Sequence, residues 1–169
     1  ASRVTFGAST IQASGKVLNW AAPRLEATAE GDVLLADVKR PLRLPMEPRG
    51  RARFKSTWAI GADNTINGSG SLAAENLDWA VASVRLAPFT VDADWRVTRR
   101  EAFVDRAVVG LLGGKLTGSG KITDWRDFTV DGTLSDLALS RLYSLQDNRA
   151  FPWSGTVSGP VSARGTFPA

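Results

Sequence analysis

The sequence predicts an all-β chain: a long, curved antiparallel sheet folded into an open groove, with repeated Gly-rich strands and at most one short helix. Two observations carry this reading. Apolar and polar residues alternate with period two along most of the chain, which marks strands with one apolar and one wet face. A glycine-containing strand motif also recurs, with turn residues between the strands.

The elements follow in order. "ASRVTFGAST" alternates from Ala1 and has no signal-peptide profile. In "RLEATAEG", Leu25, Ala27 and Ala29 oppose Glu26, Thr28 and Glu30. "KRPLRLPMEPRG" (39–50) holds three prolines and three arginines and reads as a loop or edge crossing. In "RARFKSTWAI" (51–60), Ala52, Phe54, Ser56, Trp58 and Ile60 share a face opposite Arg51, Arg53, Lys55 and Thr57. "GADNTINGSG" (61–70) carries Asp-Asn and Asn-Gly pairs and reads as a hairpin. In "FTVDADWRV", Phe89, Val91, Ala93, Trp95 and Val97 oppose Thr90, Asp92, Asp94 and Arg96. In "LALSRLYSLQDN" (137–148), Leu139, Leu142 and Leu145 recur at near-helical spacing and predict a helix of about two turns.

The recurring motif reads "IQASGKVLNW" from Ile11, "INGSGSLAAENLDW" from Ile66 and "LTGSGKITDW" from Leu116, with a partial copy, "VSGPVSARGTF", from Val157. Gly15, Gly70 and Gly120 are 55 and 50 residues apart. This spacing predicts an array in which each unit adds a few strands and the glycines bend the sheet. Residues 1–169 form a single β-repeat unit that starts and stops in strand-like sequence, so a fragment of a longer protein is expected.

Composition narrows the chemistry. The 169 residues are 43% hydrophobic, which excludes a disordered chain. There is no cysteine and no histidine, so disulfides, thiol nucleophiles, Cys/His zinc sites and Ser-His-Asp triads are absent. Lysines and arginines exceed aspartates and glutamates by 21 to 17, a mild excess that fits a solvated surface of mixed sign. A sharper reading is attraction to phosphates. The longest apolar run, "AVVGLLGG" (107–114), is far short of the ~20 residues that span a bilayer.

Binding motifs fail on spacing. Gly120-Lys121 is followed by Ile122, and Lys115 stands where a phosphate loop needs its first glycine. "GSGSLA" (68–73) lies in a predicted hairpin, where no helix follows to receive a dinucleotide phosphate. A calcium loop from Asp63 has Thr65 in its third position and Glu75 one residue late. Asn67-Gly68-Ser69 is a formal glycosylation sequon. Asp92 and Asp94 share a face as a carboxylate pair would, but they alternate with Thr90 and Arg96 on the wet side. Asp124 and Asp127 flank Trp125 as turn residues. The strand tryptophans Trp58 and Trp95 lie on apolar faces, with the arginines opposite, which argues for packing and against a nucleic-acid platform. Trp20, Trp79 and Trp125 close the motifs, and Trp153 follows a proline. No enzyme, cofactor or metal is expected.

Apolar faces recur with little helix to cover them. A curving sheet that encloses an apolar groove satisfies them, and each acyl methylene buried there contributes ~0.8 kcal/mol. The segment 113–167, "GGKLTGSGKITDWRDFTVDGTLSDLALSRLYSLQDNRAFPWSGTVSGPVSARGTF", resembles the AsmA-like superfamily, in particular the C-terminal-type repeats of its TamB members. It shows a Gly-rich strand, then "DGTLSDLALSRL", a short link, and "WSGTVSGPVSARGTF". The rest of the chain matches in style only.

The resemblance implies a β-taco with a hydrophobic lumen in a periplasm-spanning bridge of a diderm bacterium, its parent anchored in the inner membrane. It implies phospholipids as cargo, adjoining repeats of the parent chain as neighbours, and a TamA-like barrel as partner in outer-membrane biogenesis. It brings no catalytic residues.

Alternation alone supplies the expected lipid-binding lining: Phe54, Trp58, Ile60, Phe89, Val91, Trp95, Val97, Leu116, Ile122, Phe128, Val130 and Leu134. Arg51 and Arg53 are expected to attract anionic head groups. Unpaired sheet edges are expected to self-associate. Two other readings stand beside this one. The first is a structural or adhesive β-repeat module with a dry core. The second is a strand-addition scaffold that binds extended peptides.

Overall fold

A computed structural model describes residues 1–19, 21–42, 49–81, 84–143 and 154–167. The strands are β1 (Ser2–Phe6), β2 (Ser9–Leu18), β3 (Arg24–Leu34), β4 (Arg49–Ile60), β5 (Ile66–Val81), β6 (Val84–Thr98), β7 (Glu101–Leu111), β8 (Gly114–Thr123), β9 (Asp127–Ala138) and β10 (Thr156–Thr166). Two short helices, α1 (Leu35–Leu42) and α2 (Leu139–Tyr143), follow β3 and β9. The strands form one open antiparallel sheet in sequence order, with β1 and β10 as its edges.

Register sorts the side chains. Directly opposed residues point to the same face. Trp58 opposes Gly68, Gly68 opposes Val97, and the row continues through Ala102, Ile122 and Phe128. The next row runs Ala29, Ser56, Gly70, Trp95, Val104, Gly120 and Val130. A third begins at Val4 and crosses Ile11, Gly31, Phe54, Leu72 and Ala93. The other face carries rows such as Ser14, Thr28, Thr57, Ser69 and Arg96. The sheet therefore has one apolar and one polar side across its full width.

Bulges bend it. The register shifts place extra residues on β5 between Ala74 and Leu77, on β7 between Val104 and Ala107 (seen against both β6 and β8), and on β9 between Leu134 and Leu137. Asn76 and Asp136 take left-handed backbone angles (φ 53° and 56°) within their strands. Bulges on these alternate strands increase local twist and curve the sheet. On the apolar side of β8 and β9 the backbones crowd: a Cβ on Gly132 would lie 2.6 Å from the carbonyl oxygen of Thr117.

Both helices lie at the same end of the strands, and the turns at 19–23, 61–65, 99–100 and 124–126 lie at the other. At the helical end the apolar face is covered. Val33, Ala52, Ala74 and Leu137 are buried there, as is Ser9. Asp37 on α1 fastens that helix: its carboxylate accepts from Ala8 N (2.9 Å) and Ser9 Oγ (2.7 Å), and Ser9 Oγ accepts from Leu34 N (2.9 Å).

Several expectations change. Residues 39–42 of the proline-rich stretch belong to α1, and Arg49 and Gly50 to β4; residues 43–48 lie outside the described residues. The second helix starts at Leu139 and ends at Tyr143, because β9 runs on through Ala138; Leu145 lies outside the described residues. The hairpin turn is confined to residues 61–65, closed by Asn64 N–H donating to Gly61 O (3.1 Å). Asn67-Gly68 and "GSGSLA" lie within β5, where they pair with β4 and β6.

The motif copies fall on β2, β5, β8 and β10. β2 and β8 run towards the turn end, whereas β5 runs the opposite way. The partial copy on β10 shares the sense of β2 and β8, but only the copies from Ile11 and Leu116 are each followed by a strand and a helix. The structural period is therefore six strands, from Gly15 to Gly120, a separation of 105 residues.

Candidate functional site

The apolar face is built from aromatic rings seated on glycines. A Cβ on Gly68 would lie 2.6 Å from the Trp58 ring and 2.8 Å from Val97, and one on Gly70 would lie 2.8 Å from the Trp95 ring. Across β5 the two indoles meet, with centroids 5.6 Å apart and planes tilted by 50°. Phe54 covers Gly31 and Phe128 covers Gly165 in the same way. These glycines give the rings room to lie flat along the sheet, a role beyond the bending expected of them. The Trp58 indole N–H donates to Ser56 Oγ (3.2 Å), which donates to Ala29 O (3.3 Å), so the polar atoms here are satisfied internally.

The twelve residues of the expected lining, Phe54, Trp58, Ile60, Phe89, Val91, Trp95, Val97, Leu116, Ile122, Phe128, Val130 and Leu134, all fall on this one face by register. Nothing among the described residues forms a second layer over the middle of it. Val104 and Val130 stay 37% and 42% exposed at its centre. A hollow of about 200 Å³ opens there between Val104, Ala107, Val109, Leu116, Val130 and Val161. At the turn end the paired residues Val17, Leu25 and Ile60 form an exposed apolar rim.

The polar face also has hollows, the largest about 700 Å³, running from Ser14 to Phe103. A twisted sheet is concave along different diagonals on its two sides, which accounts for hollows on both. Here the polar groups are occupied with each other. Ser14 and Thr28 hydroxyls bond at 2.7 Å, and those of Thr57 and Ser69 at 3.0 Å. Arg96 holds Asp105 through two bonds of 2.6 Å, which pulls the Asp105 carboxyl below its ordinary range and raises Arg96. Phe103, an aromatic residue on this side, lies under Arg96 and Lys121 (4.9 and 5.1 Å).

The other candidates resolve as structural. Arg106 bonds both Asp94 (2.9 Å) and Asp92 (2.5 Å), so the two carboxylates share one guanidinium, whose pKa is raised in turn. Asp63 accepts from Thr65 N (3.2 Å) and Oγ1 (2.7 Å) in a turn, which lowers its pKa. Arg51 and Arg53 stand on the polar face, away from the apolar one, bound to Asp32 and Glu75 at 2.7 Å each. The expected head-group role does not fit that placement. Among the described residues no cluster of His, Cys, Asp and Glu could hold a metal, and no helix is long and apolar enough to cross a membrane. Trp20, Trp153 and the side chain of Trp79 lie outside the described residues.

Sequence alternation did not single out the turn end of β8 and β9. Trp125 is 54% exposed there, and its indole N–H donates to Arg99 O (2.8 Å). The signal for it was present: a tryptophan between Asp124 and Arg126 has no apolar strand neighbour to pack on.

Comparison with family models, curated proteins and solved structures finds no match to this chain.

Proposed function

We propose that this chain is a segment of an AsmA-like, TamB-type bridge protein, which carries phospholipid acyl chains along its apolar face between the inner and outer membranes. The observation that supports the reading best is the unlidded apolar face. Among the described residues only Val33, Ala52, Ala74, Leu112 and Leu137 are buried hydrophobic side chains. A chain of 18.1 kDa exposes 11711 Å², against about 8,100 Å² for a compact monomer of that mass. The open apolar side contributes to that excess, and acyl chains would cover it without polar groups to satisfy. The mechanism is passive: chains lie along the rows, and head groups stay at the rim. The parent's periplasmic placement and its support of outer-membrane biogenesis with a TamA-like barrel belong to the same proposal.

The test is to purify the chain without detergent and weigh it by native mass spectrometry. Copurifying phospholipid is expected. Val104→Arg and Val130→Arg change half-exposed positions on the central rows, so each should fold. Each should retain on the order of tenfold less lipid, the effect of losing about 1.4 kcal/mol of binding. A wild-type chain that never holds lipid, or folded variants that hold as much, would sink the proposal.

The open edges favour a second reading. Among the described residues β1 and β10 each have one unpaired side, which suits addition of an extended client strand. That reading requires peptide binding that a proline in the peptide abolishes and that Val130→Arg leaves intact.

A further inference from the structure

The turn end of β6–β9 brings together what an amphiphile's polar end requires. The last apolar row before that end holds Val97, Ala102, Ile122 and Phe128. Phe167, 47% exposed, packs on Phe128 with ring centroids 5.1 Å apart, and its N–H donates to Arg126 O (2.8 Å). Arg126 is thus tied by its backbone to the border of the apolar face. Next to it stands Trp125. Its N–H is satisfied by Arg99 O, so the ring is presented to solvent while its polar atom is already bound. Asp124 and Trp125 hold left-handed backbone angles (φ 52° and 56°), where turns ordinarily use glycine or asparagine. Trp125 therefore carries local backbone strain at this border, which points to a use for its side chain.

Charge completes the arrangement. Arg100 pairs with Asp124 (2.6 Å) and Lys121 with Glu101 (2.7 Å). Arg99 and Arg126 make no ion pair among the described residues. Two arginines without an ion pair therefore adjoin an exposed indole through their backbones, one by its carbonyl and one as its chain neighbour, at the edge of an apolar surface. Guanidinium binds phosphate oxygens bidentately, and tryptophan favours the border between apolar and wet surroundings. Other unpaired arginines, such as Arg3 and Arg164, belong to the polar face, opposite Gln12 and Thr129.

We propose that Arg99 and Arg126, with Trp125 between them, bind the phosphate of an anionic phospholipid whose acyl chains lie on the apolar rows behind Phe128. This rests on the acyl-chain reading of that face and adds a head-group preference to it.

The experiment incubates the whole chain with phosphatidylglycerol vesicles or phosphatidylcholine vesicles, reisolates it, and quantifies bound lipid by native mass spectrometry. Wild type should prefer the anionic lipid by roughly tenfold or more, as two charge-assisted contacts allow. The double variant Arg99→Glu/Arg126→Glu should lose that preference yet still take up phosphatidylcholine. The double variant Arg3→Glu/Arg164→Glu changes net charge equally and should keep it. Equal loss in both doubles would assign the preference to net charge and overturn the proposal. So would a wild-type chain with no preference, and so would inorganic phosphate competing as well as the lipid does; in all three cases the acyl-chain reading survives. A wild-type chain that binds neither lipid removes both.

Discussion

Glycine on the apolar face works as a seat for an aromatic ring. At Gly68 a methyl group would meet Trp58 and Val97 at once, both well inside van der Waals contact. Gly68→Ala should therefore destabilise the chain by about 1–3 kcal/mol, the usual cost of overpacking. Gly159 provides the comparison, since a methyl group there would meet nothing within 4 Å, and Gly159→Ala should change stability by less than about 1 kcal/mol. Urea unfolding of the pair measures both. Equal effects would show that strand propensity, and not the ring seat, sets the cost. Period-two alternation made Trp58 and Trp95 legible as apolar-face residues. It could not show that their rings meet over β5, because the pairing of β4 with β5 and of β5 with β6 brings Gly68 and Gly70 beneath them.

At the scale of elements, α1 matters because it closes one end of the apolar face. It is fastened by the carboxylate of Asp37, which serves Ala8 N and the buried Ser9 hydroxyl. Asp37→Ala leaves both donors without their partner and should cost about 1–3 kcal/mol. Hydrogen exchange at Ala8 should accelerate well before that at central strands such as β5. Uniform acceleration would mean that α1 is not a separate cover. The helix was hidden in the sequence because Pro41 and the charges around it read as loop punctuation, although a proline near a helix end is tolerable where tertiary contacts hold the turns before it. β7 was hidden for another reason. Strict alternation from Ala102 and Val104 would put Arg106 on the apolar face. The bulge between Val104 and Ala107 restores the apolar phase and turns Arg106 towards Asp92 and Asp94. A bulge is invisible to a period count, since it is a break in the period itself.

Across the whole molecule, the apolar rows run to both edges of the sheet, with Val4 58% and Val161 40% exposed on edge strands of the same row. β1 and β10 run in opposite directions, so β10 of one copy can meet β1 of another antiparallel, apolar side to apolar side. Sedimentation at rising concentration should show association of the isolated chain. Val4→Lys/Val161→Lys should weaken it on the order of tenfold, because like charges would then face each other across the new pair. Undiminished association would place the contact on the open face instead. The broad architecture was legible because a two-sided sheet writes its faces into alternate residues. The rim at Trp125 was not, because turns carry no such period.

The six-strand period has one more consequence, for how such a chain can change its length. Adding or removing six strands returns the next strand to its original direction and keeps every helix on the same lip. Removing three would reverse all that follows, carrying the helices across to the opposite lip. Duplication and loss by recombination are therefore tolerated only in even steps, and the natural unit of growth is about the distance from Gly15 to Gly120.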